Sequence, residues 1–342
     1  MPDFLPGLDL ARAVYDDVVG PLLGTRRHSA ARLGAGSDVL GLDTPRSTDH
    51  GWGPRLQVFV EGEAVDEVRA LIDEHLPETV RGWPVRFGWD DVPVTHHVEV
   101  DTVAGWLTRH LGFDPRQGIS TVDWLATPQQ LLLEVTAGAV FHDGLGELGP
   151  ARRALAWYPD DVWLWLIACQ WRRIDQEEPF VGRAAEVGDD PGSRLIAARL
   201  CRDVMRLCFL LERHYAPYAK WLGSAFARLE AAGDVGPPLG RILDARDDPS
   251  RERELASAYE AAARRFNALG LTEPVEPTVR PFFDRPYLVL GAGRYVEACL
   301  ARVRDPWLRS LPLVGAIDQF ADSSEVVDPG VARRFRAVFG PS

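Results

Sequence analysis

The chain has 342 residues, of which 46% are hydrophobic and 26% charged, a composition typical of a folded protein with a full hydrophobic core. Its formal net charge of −12 disfavours long nucleic acid as a partner, because the average field of the protein repels a polyanion. No apolar run reaches the roughly 18 residues that a spanning helix needs, so we expect no membrane partner and a cytoplasmic location.

The first third of the chain predicts helices alternating with short strands. Residues 8–23 and 66–76 carry apolar side chains at helical spacing. Short strands are predicted after Ala31, at 55–60, at 85–89 and at 96–100, where apolar residues alternate with polar ones. These elements predict a small mixed sheet whose strand order the sequence does not reveal.

From residue 102 onward the periodicity becomes helical. Proline or polar residues precede most of the predicted helices, which cover residues 102–111, 128–142, 150–157, 159–176, 192–214, 217–232, 251–269, 291–303 and 329–339. Trp163, Ile167 and Trp171 share one helical face and predict packing in a core. The predicted fold class is therefore α+β, with a small mixed-sheet domain at 1–125 followed by an all-α domain at 126–342.

The four cysteines are expected to be structural. They form no CxxC pair and lie in apolar or helical stretches at Cys169, Cys201, Cys208 and Cys299. Such residues behave as small buried hydrophobic groups. We therefore predict reduced, buried thiols and no disulfide framework.

A cluster of glycines, hydroxyls and acids precedes the strand predicted at 55–60. Gly36 and Ser37 form a turn in which backbone N–H groups can approach phosphates, and Asp49 follows about a dozen residues later. A carboxylate at that position can bind the Mg²⁺ that bridges phosphate groups. The alternative is a glycine-rich surface loop with solvated acids.

The same segment resembles the signature of the DNA-polymerase-β-type nucleotidyltransferase superfamily, in which a helix is followed by Gly-Ser and then by Asp-x-Asp/Glu before a strand. That resemblance covers roughly residues 8–100. More narrowly, nearly the whole chain resembles the domain-of-unknown-function family numbered 4037, which is grouped with that superfamily. The blocks that carry this resemblance are Gly36-Ser-Asp-Val-Leu-Gly-Leu-Asp, Ser47-Thr-Asp-His-Gly-Trp-Gly-Pro-Arg, Pro128-Gln-Gln with Glu134-Val-Thr-Ala-Gly, Trp171-Arg-Arg-Ile with Gln176-Glu-Glu, and Tyr215-Ala-Pro-Tyr-Ala-Lys-Trp.

The resemblance implies roles for individual residues. Gly36 and Ser37 would cradle a triphosphate, Asp49 would bind metal and act in catalysis, and Glu99 would supply a third carboxylate for both purposes. The superfamily places its second metal carboxylate two residues after the first, but this chain has Gly51 there. A missing carboxylate weakens two-metal chemistry.

Other acids are candidates to replace the missing one. Asp38, Asp43 and Glu61 all lie in or beside the glycine-rich segment. The sequence does not choose among them.

Two positions in the helical half are further candidates. Lys220 is the single lysine of the chain and follows a proline, where it could bind phosphate. Glu177 or Glu178, with Glu178 preferred, would accept the proton of an acceptor hydroxyl, as helical-domain glutamates do in the antibiotic nucleotidyltransferases that this architecture resembles. The alternatives are a solvated lysine and ordinary charge pairs on a helix surface.

Together these features predict a Mg²⁺-dependent nucleotidyltransferase that transfers a nucleoside monophosphate from a nucleoside triphosphate, with ATP preferred, to a hydroxyl of a small-molecule acceptor. The alternative is a catalytically impaired nucleotide-binding or regulatory partner protein, because of Gly51. An antitoxin-like partner is disfavoured by the long helical half. No oligomeric state is predicted.

Overall fold

The computed structural model describes residues 2–340, which form two compact units. Within those residues, unit 1 comprises the chain up to Ser120 together with Gln130–Ala156. Unit 2 comprises Thr121–Gln129 and the chain from Trp157 onward. Residues 130–156 thus group with the unit that contains the sheet. The domain boundary predicted after residue 125 stays a prediction.

Unit 1 combines short helices and strands. Its helices are α1 (Gly7–Val14), α2 (Gly20–Leu23), α3 (Val65–His75), α4 (Val103–Leu111), α6 (Gln129–Thr136, whose first residue groups with unit 2) and α7 (Leu148–Ala154), while α5 (Thr121–Ala126) groups with unit 2. Its strands are β1 (Ser29–Arg32), β2 (Arg55–Phe59), β3 (Thr79–Val80), β4 (Trp83–Pro84), β5 (Arg86–Trp89), β6 (Val92–Asp101) and β7 (Ala139–Asp143). A π-helical turn, Tyr15–Val19, joins α1 to α2 and makes the predicted helix at 8–23 nearly continuous.

Five of these strands form one mixed sheet in the order β5-β6-β2-β1-β7. Strands β2 and β6 are parallel, with Gln57 opposite Glu99, and the other neighbouring pairs are antiparallel. A parallel pair needs a crossover connection, and α3 lies in the connection between β2 and β6. The predicted mixed α/β character is therefore confirmed.

One face of the sheet forms the core of unit 1. Leu56 and Val58 of β2 and Val98 of β6 are at most 4% exposed and pack with Leu10 of α1 and Ile72 of α3. The residues between them in the strands point to the opposite face, because side chains alternate along a strand. Arg55 and Gln57 of β2 and His97 and Glu99 of β6 lie on that opposite face.

The prediction of a helix at 128–142 is wrong for the second half of that range. Helix α6 ends at Thr136, and β7 then pairs with β1 as an edge strand of the sheet. Helical periodicity does not distinguish a short apolar strand from a helical turn, because both present runs of apolar residues. Pairing with β1, which lies far away in the sequence, decides the conformation.

Unit 2 is mostly helical. Beyond α5 it contains α8 (Asp160–Glu186), α9 (Asp190–Leu211), α10 (Ala219–Phe226), α11 (Gly236–Asp244), α12 (Asp248–Ala268), α13 (Gly293–Leu300), α14 (Pro306–Ser310), α15 (Ile317–Phe320) and α16 (Pro329–Arg334), with a small hairpin of β8 (Arg280–Pro281) and β9 (Leu288–Val289). The hairpin lies in the proline-rich connector between α12 and α13.

The core of unit 2 is built on α8, which packs against α9, α12 and α13. Trp163, Ile167 and Trp171 are at most 2% exposed, so the predicted packing face is confirmed. The four cysteines are buried and free, as predicted. Within residues 2–340, no helix combines the length and the apolar character that crossing a bilayer requires.

Candidate functional site

The Gly-Ser segment follows β1 and forms a compact turn. The Gly34 N–H donates to the Glu134 carbonyl at 2.8 Å, and the Leu42 N–H donates to the Ser37 carbonyl at 2.8 Å. Between these two anchors, the N–H groups of Gly36 and Ser37 have no acceptor among residues 2–340. Backbone N–H groups of this kind can donate hydrogen bonds to an anion.

A buried charged cluster lies directly against this turn. Arg32 Nε donates to Asp38 Oδ2 at 2.7 Å, and Arg55 Nη2 donates to Asp38 Oδ1 at 2.8 Å. The Arg32 and Asp38 side chains are only 2% and 1% exposed. Two guanidinium groups therefore share one carboxylate, and Asp43 is a second carboxylate whose charge acts on Arg55.

The pKa values of this cluster follow from its burial and from the charges that its members share. Burial raises the pKa of Asp38, but the charges of Arg32 and Arg55 outweigh it and hold that pKa below its usual value. Burial and the neighbouring Arg32 lower the pKa of Arg55 to about 10. The two arginines thus stabilise the ionised form of Asp38, while Asp38 and Asp43 only partly offset the effect of burial and of Arg32 on the pKa of Arg55.

Gly36 is required by this close approach. Its φ is +147°, a conformation that other residues rarely adopt. A Cβ there would lie 2.5 Å from Arg55 Nη2 and 2.6 Å from Arg32 Nη2, and would overlap the Asp38 carboxylate. Only a glycine lets the turn rest on the cluster.

Asp49 ends a short 3₁₀ helix, Pro45–Asp49, and lines a surface cleft of about 280 Å³. Its side chain is 61% exposed and forms an ion pair with Arg46 at 3.4 Å. Aromatic rings form much of the cleft wall, supplied by Trp52, Trp83, Phe87 and Trp89. The half-buried Phe87 and Trp89 rings stack at a centroid distance of 5.9 Å. An exposed carboxylate beside aromatic faces suits a ligand with a planar ring.

Gly51 lies in the same cleft with a φ of +60°. A Cβ there would lie 3.5 Å from Trp89 Cε2, which is an ordinary van der Waals distance. Space alone therefore does not require a glycine at this position.

The three acids considered as replacements at this site have other partners. Asp38 belongs to the buried cluster. Asp43 Oδ2 accepts the Gly7 N–H at 2.7 Å and the Trp52 Nε1–H at 3.0 Å, so it fastens the start of α1 to the cleft wall. Glu61 is paired with Arg27 at 3.4 Å.

Glu99 lies on β6 beside Gln57 of β2, on the face opposite the apolar core. Its carboxylate accepts a hydrogen bond from Arg109 Nη2 at 2.6 Å and is 43% exposed. The same guanidinium also pairs with Asp101. Two positions earlier on β6, His97 Nε2 donates to the Phe87 carbonyl at 2.9 Å, and burial lowers the pKa of His97.

The donor set fits Mg²⁺ only in part. Among the residues that the structure describes, no three His, Cys, Asp or Glu side chains are grouped as ligands for a metal ion. Mg²⁺ in phosphate sites commonly takes one or two carboxylates and completes its shell with water and phosphate oxygens. Asp49 is accessible for that role, whereas Glu99 would have to release Arg109.

The candidates from the helical half lie in unit 2, Glu178 on α8 and Lys220 on α10. Glu178 of α8 is buried, and its oxygens accept the N–H groups of Leu290, Gly291 and Ala292 at 2.6, 3.2 and 2.9 Å. Burial raises the pKa of Glu178 to about 7, although these three hydrogen bonds act in the opposite direction. The contacts indicate that Glu178 anchors the segment before α13, and a role as a general base stays a prediction.

Glu177 and Lys220 are more accessible. Glu177 Oε1 pairs with Arg199 at 3.0 Å, and burial raises the pKa of Glu177. Lys220 is exposed on α10, with its Nζ 4.8 Å from the ring of Trp221. A phosphate contact of Lys220 also stays a prediction.

Three arginines that shape the site in unit 1 were not predicted from the sequence. Arg32 and Arg55 were not singled out, nor was Arg109, which pairs with Glu99. One signal was present, since a buried strand rarely carries an arginine unless a carboxylate lies nearby. Their partner Asp38 was a candidate from the sequence, but only as a replacement for the missing metal ligand.

The comparisons with known proteins cover parts of the chain. A mouse (Mus musculus) protein, described as "Vesicle transport protein SFT2C", is 31% identical over 131 residues. That alignment covers 35% of this chain and 59% of the mouse protein, so the chain spans less than two thirds of this relative. Residues 124–222 match the family model described as "Domain of unknown function (DUF4037)". The comparison therefore supports, over that segment, the domain-of-unknown-function family that the sequence blocks resemble.

Proposed function

We propose that the protein is a Mg²⁺-dependent nucleotidyltransferase that transfers a nucleoside monophosphate from a nucleoside triphosphate, with ATP preferred, to a hydroxyl of a small-molecule acceptor. The observation that carries the proposal is the buried cluster beneath the Gly36-Ser37 turn. Two buried guanidinium groups behind unpaired N–H groups favour an anion at the turn, and low-dielectric surroundings strengthen that attraction.

The aromatic cleft supports a nucleotide rather than a simple phosphate. Trp89 and Phe87 present half-buried ring surface beside Asp49, and planar bases stack on such rings. Asp49 is exposed and can reach a metal-bound phosphate without losing a buried partner. Mg²⁺, when bound with the nucleotide, would neutralise part of the phosphate charge.

The protein side chains have mainly positioning roles in this proposal. The turn holds phosphate oxygens, the aromatic rings hold the base, and Asp49 and Glu99 supply negative charge for the metal. Nucleotidyl transfer forms a bond between the acceptor oxygen and the α-phosphorus and breaks the bond to pyrophosphate. Positioning and electrostatic stabilisation account for most of the catalysis in such reactions.

Isothermal titration of ATP, GTP, CTP and UTP, with and without Mg²⁺, tests the proposal. The native chain is compared with Asp49→Asn and with Asp66→Asn, which removes an exposed acid outside the cleft. We expect Mg²⁺-dependent binding that Asp49→Asn weakens roughly tenfold or more and Asp66→Asn leaves unchanged. Absence of binding by all four triphosphates would refute the proposal.

A second candidate function is nucleotide binding without transfer. Two observations favour it. Gly51 stands where the superfamily has a carboxylate, and the Glu99 carboxylate is already paired with Arg109. Pyrophosphate release, measured with the bound nucleotide and a panel of hydroxyl acceptors, distinguishes the two candidates. Binding with no release, even at long incubation, supports the second candidate.

A further inference from the structure

A separate cavity of about 130 Å³ lies within unit 2, between α8, α12 and the residues leading into β9. Its apolar wall includes Val181 and Leu255, both at most 4% exposed. A volume of this size corresponds to about four water molecules at roughly 30 Å³ each, so it admits a short aliphatic chain. We call this cavity the α8–α12 slot.

Two tyrosines that line the slot have unpaired hydroxyl groups. Tyr259 is 2% exposed and Tyr287 is 5% exposed, and neither phenol oxygen has a hydrogen-bond partner among residues 2–340. A buried polar atom without a partner costs free energy, and native structures contain few of them. A ligand with a hydrogen-bond donor that reaches either oxygen from the slot would satisfy it.

The slot is also strongly acidic. Four carboxylates line it, and no Lys, Arg or His does. Arginines outside the lining pair with two of them, since Arg285 binds Glu186 at 2.6 Å and Arg251 binds Asp248. The other two, Glu178 and Glu252, have no cationic partner among residues 2–340.

The carboxylates without a cation are Glu178 and Glu252. Glu178 accepts backbone N–H groups only, and Glu252 Oε1 accepts the Leu288 N–H at 2.7 Å. Hydrogen bonds from neutral amides solvate a carboxylate but do not cancel its charge. The raised pKa of Glu178, about 7, leaves that group partly protonated near neutral pH, so the uncompensated negative charge of the slot is mainly that of Glu252, beside apolar and aromatic walls.

We propose that the α8–α12 slot binds a small organic ammonium ion, a primary amine on a short aliphatic chain. The ammonium group donates hydrogen bonds to Glu252 and to the Tyr259 hydroxyl, and its charge lies near the tyrosine rings, which attract cations. The aliphatic chain packs against Val181 and Leu255. All residues that line this site belong to unit 2.

Calorimetric titration of the full chain with n-butylammonium chloride tests the proposal, with 1-butanol as the uncharged ligand of similar shape. Glu252→Gln removes the charge but keeps an oxygen for the Leu288 N–H. Glu254→Gln is the matched control, because Glu254 lies on the same helix and pairs with Arg241 at 2.8 Å outside the slot. Tyr259→Phe removes one acceptor and keeps the ring.

We expect saturable binding of n-butylammonium to the native chain. Glu252→Gln should weaken it roughly tenfold and Tyr259→Phe about threefold, while Glu254→Gln leaves it unchanged. The proposal is overturned if the native chain does not bind n-butylammonium, if 1-butanol binds equally well, or if the Glu252 and Glu254 variants bind alike. If circular dichroism shows that Glu252→Gln is unfolded, Tyr259→Phe decides, and native affinity in that variant overturns the proposal.

Discussion

Arg55 Nη2 donates to Asp38 Oδ1 at 2.8 Å, and this ion pair ties the start of β2 to the turn that follows β1. Arg32 binds the other oxygen of the same carboxylate. The Gly36-Ser37 turn is thus held from below by side chains of two adjacent strands.

Asp38→Asn should destabilise unit 1 strongly, by about 3–5 kcal/mol, because it leaves two buried guanidinium groups without a negative charge. Urea unfolding monitored by circular dichroism measures this loss. Glu67→Gln provides the comparison, since the Arg26–Glu67 pair is exposed and its loss should leave the unfolding midpoint nearly unchanged. Equal effects of both substitutions would contradict the importance of burial.

Gly36→Ala should both destabilise the chain and abolish triphosphate binding, because its Cβ would displace the Arg32 and Arg55 guanidinium groups. Gly24→Ala is the matched control. Gly24 also has positive φ, at +56°, but its Cβ would meet no atom within 4 Å. It should show only the backbone cost, about 1–3 kcal/mol. If the two variants unfold at the same urea concentration, the turn does not rest on the cluster as described.

Gly51→Asp should increase Mg²⁺-dependent binding and pyrophosphate release, because it restores a carboxylate two residues after Asp49 at a position with room for a Cβ. Gly51→Asn is the control, since both side chains tolerate the left-handed backbone and only Asp adds charge. Activity assays with the preferred triphosphate make the comparison. No difference between the Asp and Asn variants would remove residue 51 from the proposed metal site.

Glu178 should make stability depend on pH. Its pKa is about 7 in the folded chain and 4.5 as the ordinary value, so the folded state binds this proton more tightly than the unfolded state. The stabilisation is complete below pH 4.5 and is lost as pH rises towards 7, a change of about 3 kcal/mol. Thermal or urea unfolding from pH 4.5 to 8, for the native chain and Glu178→Gln, isolates the contribution as the difference between them. A difference that stays constant, or grows with pH, contradicts the raised pKa.

Tyr259→Phe and Tyr295→Phe should shift stability in opposite directions. The Tyr259 hydroxyl is buried without a partner, so its removal should be neutral or stabilise the chain by up to about 1 kcal/mol. The Tyr295 hydroxyl donates to the Glu276 carbonyl at 3.1 Å, so its removal should cost about 1 kcal/mol. Urea unfolding without added amines measures the stability of both variants. A clear loss of stability in Tyr259→Phe would indicate an overlooked partner for that hydroxyl.

Local periodicity and turn chemistry predicted most helices and strands of this protein. The helix at 66–76 matches α3, and the strands at 55–60 and 85–89 match β2 and β5 to within one residue at each end. These patterns depend on neighbouring residues, so they can be recognised without the rest of the chain. The same information places the Gly-Ser turn and Asp49 ahead of β2.

The partners of the charged residues could not be predicted in this way. From the sequence, Asp38, Asp43 and Glu61 were equivalent candidates for one missing ligand, and Glu177 and Glu178 were nearly equivalent. The structure separates them by burial and by donors that come from distant segments, such as Arg55 for Asp38 and Leu290 for Glu178. Spacing along the chain contains no information about such long-range donors.

The sequence by itself determined the composition, the predominance of helix after the sheet strands and the position of the glycine-rich turn, because each of these depends on local residue types. Only the tertiary structure decided that residues 139–143 form an edge strand, that the turn rests on a buried cluster of two arginines and a carboxylate, and that a slot lined by carboxylates lies in unit 2. The physical reason is that strand pairing, burial and the compensation of charge all depend on groups far apart in the chain.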